Sequence, residues 1–537
     1  MKDNKWYTKP NLVVEPLFDR WYAWSHLISP ATSAMNVLNR HLKILNSYIQ
    51  NPHIHAAAAK NPKMRGGPFV DFKGTRVEEA RALLKETEEK KAYQLEFARA
   101  IGQLNQLLKT SARGFAMDQL YPQVPDILRG YVELVYDLNN NPSFRLFETL
   151  LYNGPCYNES SQSLALWITN NDERPFVLST PRLNEPDVIH VDVPFRHRGI
   201  DLLSRMRRVP GSKEELAEAF NISPDDRPLF DTFFTREEPE PYIPYTGDKI
   251  RMRYFGHACI LVETKDVSIL VDPIISYHGY STDVSRYSDM HLPERIDYVM
   301  ITHNHQDHIL FETLLSLRHK IGQIVVPRSG NGSLQDPNLK LMFNALGFDN
   351  VVEIGEFDTV GQGNCRITGL PFIGEHSDLD IRTKLCHHVK IGQYSLLFAA
   401  DSCNVEPRLY EHVSEMIGRV DSLFLGMECD GAPLSWLYGP LLTEDLPRDM
   451  DNSRRLAGSN YERARAIVDV FDPRELYVYA MGMEPWLEFI SSIKYTSESN
   501  PIVHSNRLIK ECGERNIVSE RLYGEKELFY EMEAMTV

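Results

Sequence analysis

The sequence predicts an α+β protein: a C-terminal sandwich of two β-sheets with helices on both outer faces, preceded by a mixed, largely helical N-terminal domain. Three observations predict it. The longest helical pattern falls in the first half of the 537-residue chain. A stretch with three prolines and an acidic bias, TREEPEPYIPYTGD from Thr235 to Asp248, then reads as a linker. Beyond it the chain turns into many short apolar strands with a few interspersed helices, a pattern that packs as two sheets flanked by helices. The expected division is therefore residues 1–245, an N-terminal α/β domain, and residues 246–537, a catalytic domain.

In the N-terminal half, Thr75 and Glu78 in TRVEEARALLKE have capping-box spacing and open a predicted long helix running toward Lys109. Phe97, Ile101, Leu104 and Leu108 form its apolar stripe, suited to a core or a subunit interface. A second helix is expected after Val124, a small sheet from SLALWIT, RPFVLS and DVIHVDV, and another helix boxed by Ser212 and Glu215. Trp21, Tyr22 and Trp24 in RWYAWSH anchor the N-terminal segment or line an entrance. In the C-terminal half the strands are RMRYF, CILVET, VSILVDP, DYVMIT, QIVVP, VVEIG, CRITGLPF, HHVKI, YSLLFAAD and SLFLGM, with PRLYEHVSEMI a helix between them. Asp272, His303, Asp401 and Glu428 stand at strand ends, where loops on a rigid scaffold carry chemistry.

Composition narrows the function. A formal net charge of -16 argues against a nucleic-acid partner, because neutralising phosphates needs a dense basic surface. The concentrated basic run is FRHRGIDLLSRMRRVPGSK, with Arg196, Arg198, Arg205, Arg207 and Arg208; it reads as a solvated helix face or a dock for an acidic partner. No apolar run approaches the roughly 20 residues that span a bilayer, and the first residues lack the pattern of a signal peptide, so no membrane association and a cytoplasmic location are expected. Seven scattered cysteines without a CxxC pair read as reduced thiols.

The chemistry is concentrated in ITHNHQDHILFETL. His303, His305, Asp307 and His308 place four candidate metal ligands within six residues directly after an apolar strand. With YFGHACILVET and ILVDP ahead of it, this HxHxDH motif resembles the metallo-β-lactamase fold. The resemblance implies that His303 and His305 bind one metal, Asp307 and His308 a second, and Asp401 of FAADSCN bridges them. Two ligand positions remain open. GEHSD offers Glu375 and His376 for one; for the other, SLFLGM runs into Glu428, with His412 and the distant His504 the histidine alternatives. If Glu375 and Glu428 are ligands, three histidines meet four carboxylates, a thiolate-free set that suits redox-active iron better than zinc. His376 is then an orienting neighbour, although the sequence does not exclude its replacing Glu375. His257 of YFGHAC is placed beside the metal loop, and Asp272 is expected to hold that loop by hydrogen bonds.

THNHQDH, the Glu of GEHSDLDI, the Asp of FAADSCN and the Glu of LGMECDG are similar to those of a subgroup of that superfamily. These are the diiron β-hydroxylases that modify amino acids tethered to nonribosomal peptide synthetase carrier domains in antibiotic biosynthesis. The resemblance implies two iron ions, dioxygen as cosubstrate, an external electron donor or reductase, and hydroxylation of Cβ on a carrier-bound aminoacyl group. It further implies a homodimer whose N-terminal half serves dimerisation and covers the active site. The alternative is a dizinc hydrolase of a lactone, phosphodiester or amide, using His376 and His504 in place of the glutamates.

Overall fold

The structure is a computed structural model, and it describes residues 5–532. Two seven-stranded sheets form its C-terminal half. The first runs in the order Val351–Ile354, Ile321–Pro327, Ile296–Met300, Ser268–Val271, Cys259–Glu263, Ile250–Gly256 and Lys526–Tyr530. The second runs Thr359–Val360, Cys365–Leu370, Cys386–Ile391, Tyr394–Phe398, Ser422–Gly426, Glu475–Tyr479 and Val518–Arg521. All ten strands expected from the sequence are present.

Side-chain alternation decides what each sheet faces. Ile260, Val262, Ile269, Val271 and Met300 of the first sheet meet Val389, Leu396, Phe398, Phe424 and Tyr479 of the second in one inter-sheet core. Phe424 stacks on Phe398 and Tyr477 with centroids 4.9 and 5.1 Å apart; truncating such a ring costs about 3–5 kcal/mol. The intervening residues Leu397, Leu423, Leu425 and Val478 point the other way, onto Tyr410, Val413, Ala464, Ile467 and Leu508. These last belong to the helices Pro407–Ile417, Tyr461–Phe471 and Asn500–Glu514. On the opposite flank, Leu261, Leu270, Val299 and Ile324 share a core with Phe311, Leu314, Met342 and a large set of N-terminal residues, among them Trp21, Leu27, Phe97 and Ile101. The N-terminal half is thus packed into the outer helical layer of the first sheet.

Several local expectations are corrected. The long helix is two, Val77–Lys90 and Ala92–Ser111, because Lys91 breaks the run (φ -107°) to put its buried ammonium on Asp19 and Ser161. The Thr75–Glu78 box does not form: Thr75 Oγ1 donates to Phe72 O, and Arg76, in left-handed conformation at φ 66°, stands at the cap with its guanidinium on Glu79. After Val124 there is a single 3-10 turn, Asp126–Leu128, between Pro125 and Gly130 at φ 81°. The small sheet contains Gln162–Ile168 and Ile189–Val191, joined by Leu12–Phe18 and Trp21–Tyr22. RPFVLS is not a strand, since Arg174 and Arg182 pin its ends to the buried Glu15. Ser212 does cap its helix, accepting from Glu215 N–H at 3.2 Å. The stripe Phe97, Ile101, Leu104 and Leu108 is internal core, and Trp21, Tyr22 and Trp24 are buried anchors.

Candidate metal centre

Asp272, in the left-handed region at φ 38° immediately after the strand Ser268–Val271, organises the ligand loop from below. Its Oδ1 accepts Thr302 N–H at 2.8 Å; its Oδ2 accepts Thr302 Oγ1–H at 2.6 Å and faces His308 Nδ1 at 2.7 Å. A proton held on Nδ1 leaves the His308 Nε2 lone pair aimed forward, where Asp401 Oδ2 stands 3.0 Å away. His303 is fully buried beside it, Nε2 3.8 Å from Asp401 Oδ2 and 4.0 Å from Glu375 Oε2. Burial and the surrounding imidazoles push His303 well below its ordinary pKa, which keeps it neutral and ready to ligate.

Glu375 collects the second group. Its Oε1 lies 2.8 Å from His305 Nδ1, its Oε2 2.8 Å from His376 Nδ1, and the two imidazoles stack at 4.4 Å. His305 Nε2 is held by Tyr438 OH at 3.1 Å. On the opposite side, His257 accepts Gly482 N–H on Nδ1, so its Nε2 proton faces Asp307 Oδ2 at 3.3 Å. Burial would raise the Asp307 carboxyl, but this contact and the neighbouring histidines hold it well below the usual range. Asp401 stands between the groups, in van der Waals reach of Gly426, whose added Cβ would fall 2.4 Å from Asp401 Oδ1. The same Cβ would fall 2.8 Å from Ala400 O, so Gly426→Ala is expected to displace this carboxylate together with the strand end beside it and lower metal content; elemental analysis of the purified variant checks it.

His257, Asp272, Glu375 and Ala400 all adopt positive φ (51°, 38°, 65° and 47°), backbone strain of the kind that persists at functional sites. His305, Asp307, Glu375, Asp401 and Glu428 line one cavity of about 430 Å³. Glu428 enters it from the far wall and stands outside the three tight donor groups, which are His303–His305–Glu375–His376, His257–Asp307–His308 and His303–His308–Asp401. It accepts Gly431 N–H at 2.5 Å and Tyr495 O–H at 3.3 Å, and burial pushes its carboxyl up to about 7. His504 sits on the helix Asn500–Glu514, where Nδ1 accepts Tyr461 N–H, and His412 is an exposed helix residue paired with Glu415; neither lines the cavity.

The same chain organisation occurs in known proteins. Residues 7–239 match the family described as diiron non-heme beta-hydroxylase N-terminal domain, and residues 268–432 the beta-lactamase superfamily domain. The chain is 39% identical over 523 residues, 96% of its own length and 98% of the relative's, to the 4-amino-L-phenylalanyl-[CmlP-peptidyl-carrier-protein] 3-hydroxylase of Streptomyces venezuelae. The chain belongs to the CmlA-type diiron β-hydroxylase family. The crystal structure of CmlA from Streptomyces venezuelae superposes with TM-score 0.92 at 38% identity, covering 98% of this chain and 99% of that one. A substituted variant of CmlA superposes with TM-score 0.89 at 38% identity over 97% and 99%. The protein is thus an enzyme of the hydroxylase class, and the hydrolase alternative gives way.

The donor set suits the diiron centre of this family. His303 Nε2 and Asp401 Oδ1 are buried with no hydrogen-bond partner, so the fold leaves donor atoms with unfilled valences at the centre. His308 Nε2 and Asp401 Oδ2 face each other at 3.0 Å, and both would be available to one ion. Asp307, Glu375, Asp401 and Glu428 bring four carboxylates to one cavity, a concentration of negative charge that bound cations would compensate.

Three features of the site carried no sequence signal. Thr302 joins Asp272 to His303 and His308, Tyr438 holds His305 from a short helix, Leu434–Tyr438, and Tyr495 holds Glu428. Each is set by tertiary contact between segments far apart in the chain.

Proposed function

We propose that the protein is a dioxygen-dependent diiron monooxygenase that hydroxylates Cβ of an aminoacyl group tethered to the carrier domain of a nonribosomal peptide synthetase, in the cytoplasm, as a homodimer served by an external reductase. The observation that carries this reading is one cavity in which imidazoles and four carboxylates converge, in a chain matched over 96% of its length by a carrier-protein aminoacyl 3-hydroxylase. His303, His305 and Glu375 would hold one iron, Asp307, His308 and Glu428 the other, with Asp401 between them and His376 orienting Glu375. The iron pair supplies reductive activation of dioxygen for C–H hydroxylation.

The protein residues do the rest. Asp272 and Thr302 fix the His308 tautomer, His257 holds Asp307 through an N–H donor, and Tyr438 fixes the His305 ring, so the donors are oriented before any ion binds. Trp436, Leu437, Leu456 and Ile490 give the cavity an apolar patch, beside Lys63, Arg65 and Arg455, that suits an aminoacyl side chain. Arg65, from the N-terminal half, closes one side of the mouth and is tied to Glu488 at 2.8 Å, the physical sense in which that half covers the site.

Metal analysis should find about two irons per chain, and mass spectrometry of aminoacyl-carrier proteins incubated with reductant and oxygen should show one added oxygen atom; a gain on free amino acids alone would refute the tethered-substrate reading. Ligand assignment is tested by paired substitutions: Glu428→Ala is expected to deplete one iron and His504→Ala to leave both, with the reverse result overturning the assignment.

A further inference from the structure

A second cavity, of about 510 Å³, adjoins the metal cavity, and the two share Gly66, Pro433 and Trp436 as a common wall. Its floor is unusual. Arg40 lies in a π-helical turn, Val37–His41, a local widening frequent at functional sites. The side chain is 9% exposed; Nη2 donates to the carbonyls of Trp436 and Leu437 at 2.6 and 3.2 Å, and Nη1 has no hydrogen-bond partner. Among the described residues no carboxylate comes within ion-pair distance of it. Burial without a counter-ion pushes its guanidinium down to about 10. A buried cation lacking an anion is costly, so its retention calls for a ligand. Lys43, nearly one turn on, is exposed at the rim of the same cavity with no ion pair, and Asp445 is the sole carboxylate of the lining. On the metal side of the shared wall, Lys63 and Arg65 flank Gly66, which accepts Trp436 Nε1–H at 2.8 Å. Arg65 is neutralised by Glu488, which leaves Arg40, Lys43 and Lys63, among the described residues, as cations without an ion pair around this wall.

The basic run Arg196–Arg208 offers no competing site. Arg207 is spent on Asp289 at 2.9 Å and on Leu12 O, Arg208 on Asp289 O, and none of the five arginines lines the metal cavity.

We infer that the Arg40–Lys43 cavity binds the phosphate of the carrier's 4′-phosphopantetheine arm, with the arm crossing the Trp436 wall and its thioester end in the metal cavity. The inference rests on the carrier-tethered reading above. A guanidinium presents forked donors that match phosphate oxygens, and an adjacent ammonium adds charge at the open side.

The test compares 4′-phosphopantetheine with pantetheine by calorimetry on the iron-loaded enzyme. The phosphorylated compound is expected to bind about tenfold more tightly. Lys43→Gln should shrink that ratio to about threefold with pantetheine affinity unchanged, and Arg40→Gln should bring it toward one. Arg40→Lys, which keeps charge but loses the fork, should fall between. An absence of discrimination in the unsubstituted enzyme, or a ratio unaltered in Lys43→Gln, overturns the inference; the exposed Lys43 decides it even if Arg40→Gln fails to fold. Competition by inorganic phosphate as strong as by 4′-phosphopantetheine also overturns it, identifying a free-phosphate site. Should discrimination hold while no aminoacyl carrier is ever hydroxylated, the functional reading fails and the phosphate site stands.

Discussion

Asp401→Asn is expected to abolish hydroxylation while leaving the sandwich folded. The carboxylate faces the two histidines that link the halves of the constellation, 3.0 Å from His308 Nε2 and 3.8 Å from His303 Nε2, with Oδ1 unpartnered. Burial pushes its carboxyl up against the pull of His308, so its negative charge is disfavoured until a cation compensates it. An asparagine keeps the volume and one acceptor oxygen but removes the charge and the second acceptor, so it cannot serve two ions. Groups that merely orient metal ligands cost about 10–100-fold when lost, and a ligand shared by both ions should exceed that. Iron is expected to fall from about two per chain to one or fewer, with turnover of an aminoacyl carrier lost in proportion. Full iron content in Asp401→Asn with retained turnover would remove Asp401 from the centre. Because its neighbours Ala400 and Gly426 pack by backbone, unfolding by heat should be little changed, which separates a ligand role from a structural one.

Much of this candidate centre was legible because several of its candidate ligands follow directly on strands. Period-two apolar runs announce the strands, and a polar residue that interrupts such a run, as in LVDP, FAAD and LGME, has no core to enter and must face a loop cluster. Glu375 and His376 could not be separated from sequence, since adjacent residues in a turn can each face inward. In the structure both do, because Glu375 at φ 65° folds the turn back on itself and bonds the His376 ring. The N-terminal half was read less well for a definite reason. Capping and periodicity describe a helix in isolation, whereas Lys91, Arg174 and Arg182 are placed by partners distant in sequence. Each forces a break where local pattern favours continuity.

Those same ion pairs predict a large and pH-dependent change in stability. Glu15 is wholly buried on the strand Leu12–Phe18, with Arg174 Nη2 2.6 Å from Oε1 and Arg182 Nε 2.8 Å from Oε2; Arg174 also pairs with Glu312 at 2.8 Å and lies 3.8 Å over the Phe489 ring. The network ties the N-terminal sheet to Glu312 of the helix Phe311–Leu317 in the outer layer of the first sheet. Burial alone would raise the Glu15 carboxyl, but Arg182 and Arg174 outweigh it and lower it from 4.5 to about 2. That gap corresponds to about 3 kcal/mol of stability. Glu15→Gln should lose about this much at pH 7, because it leaves two guanidinium groups buried with one carboxylate between them. The sign fixes the pH dependence: a depressed carboxylate contributes fully above its unfolded pKa near 4.5 and loses that contribution as pH falls through about 2. The difference between the two proteins in urea or thermal unfolding should therefore be greatest at neutral pH and narrow steadily below pH ~4.5. A difference that stays constant down to pH ~3 would show that Glu15 acts through packing and not through its charge.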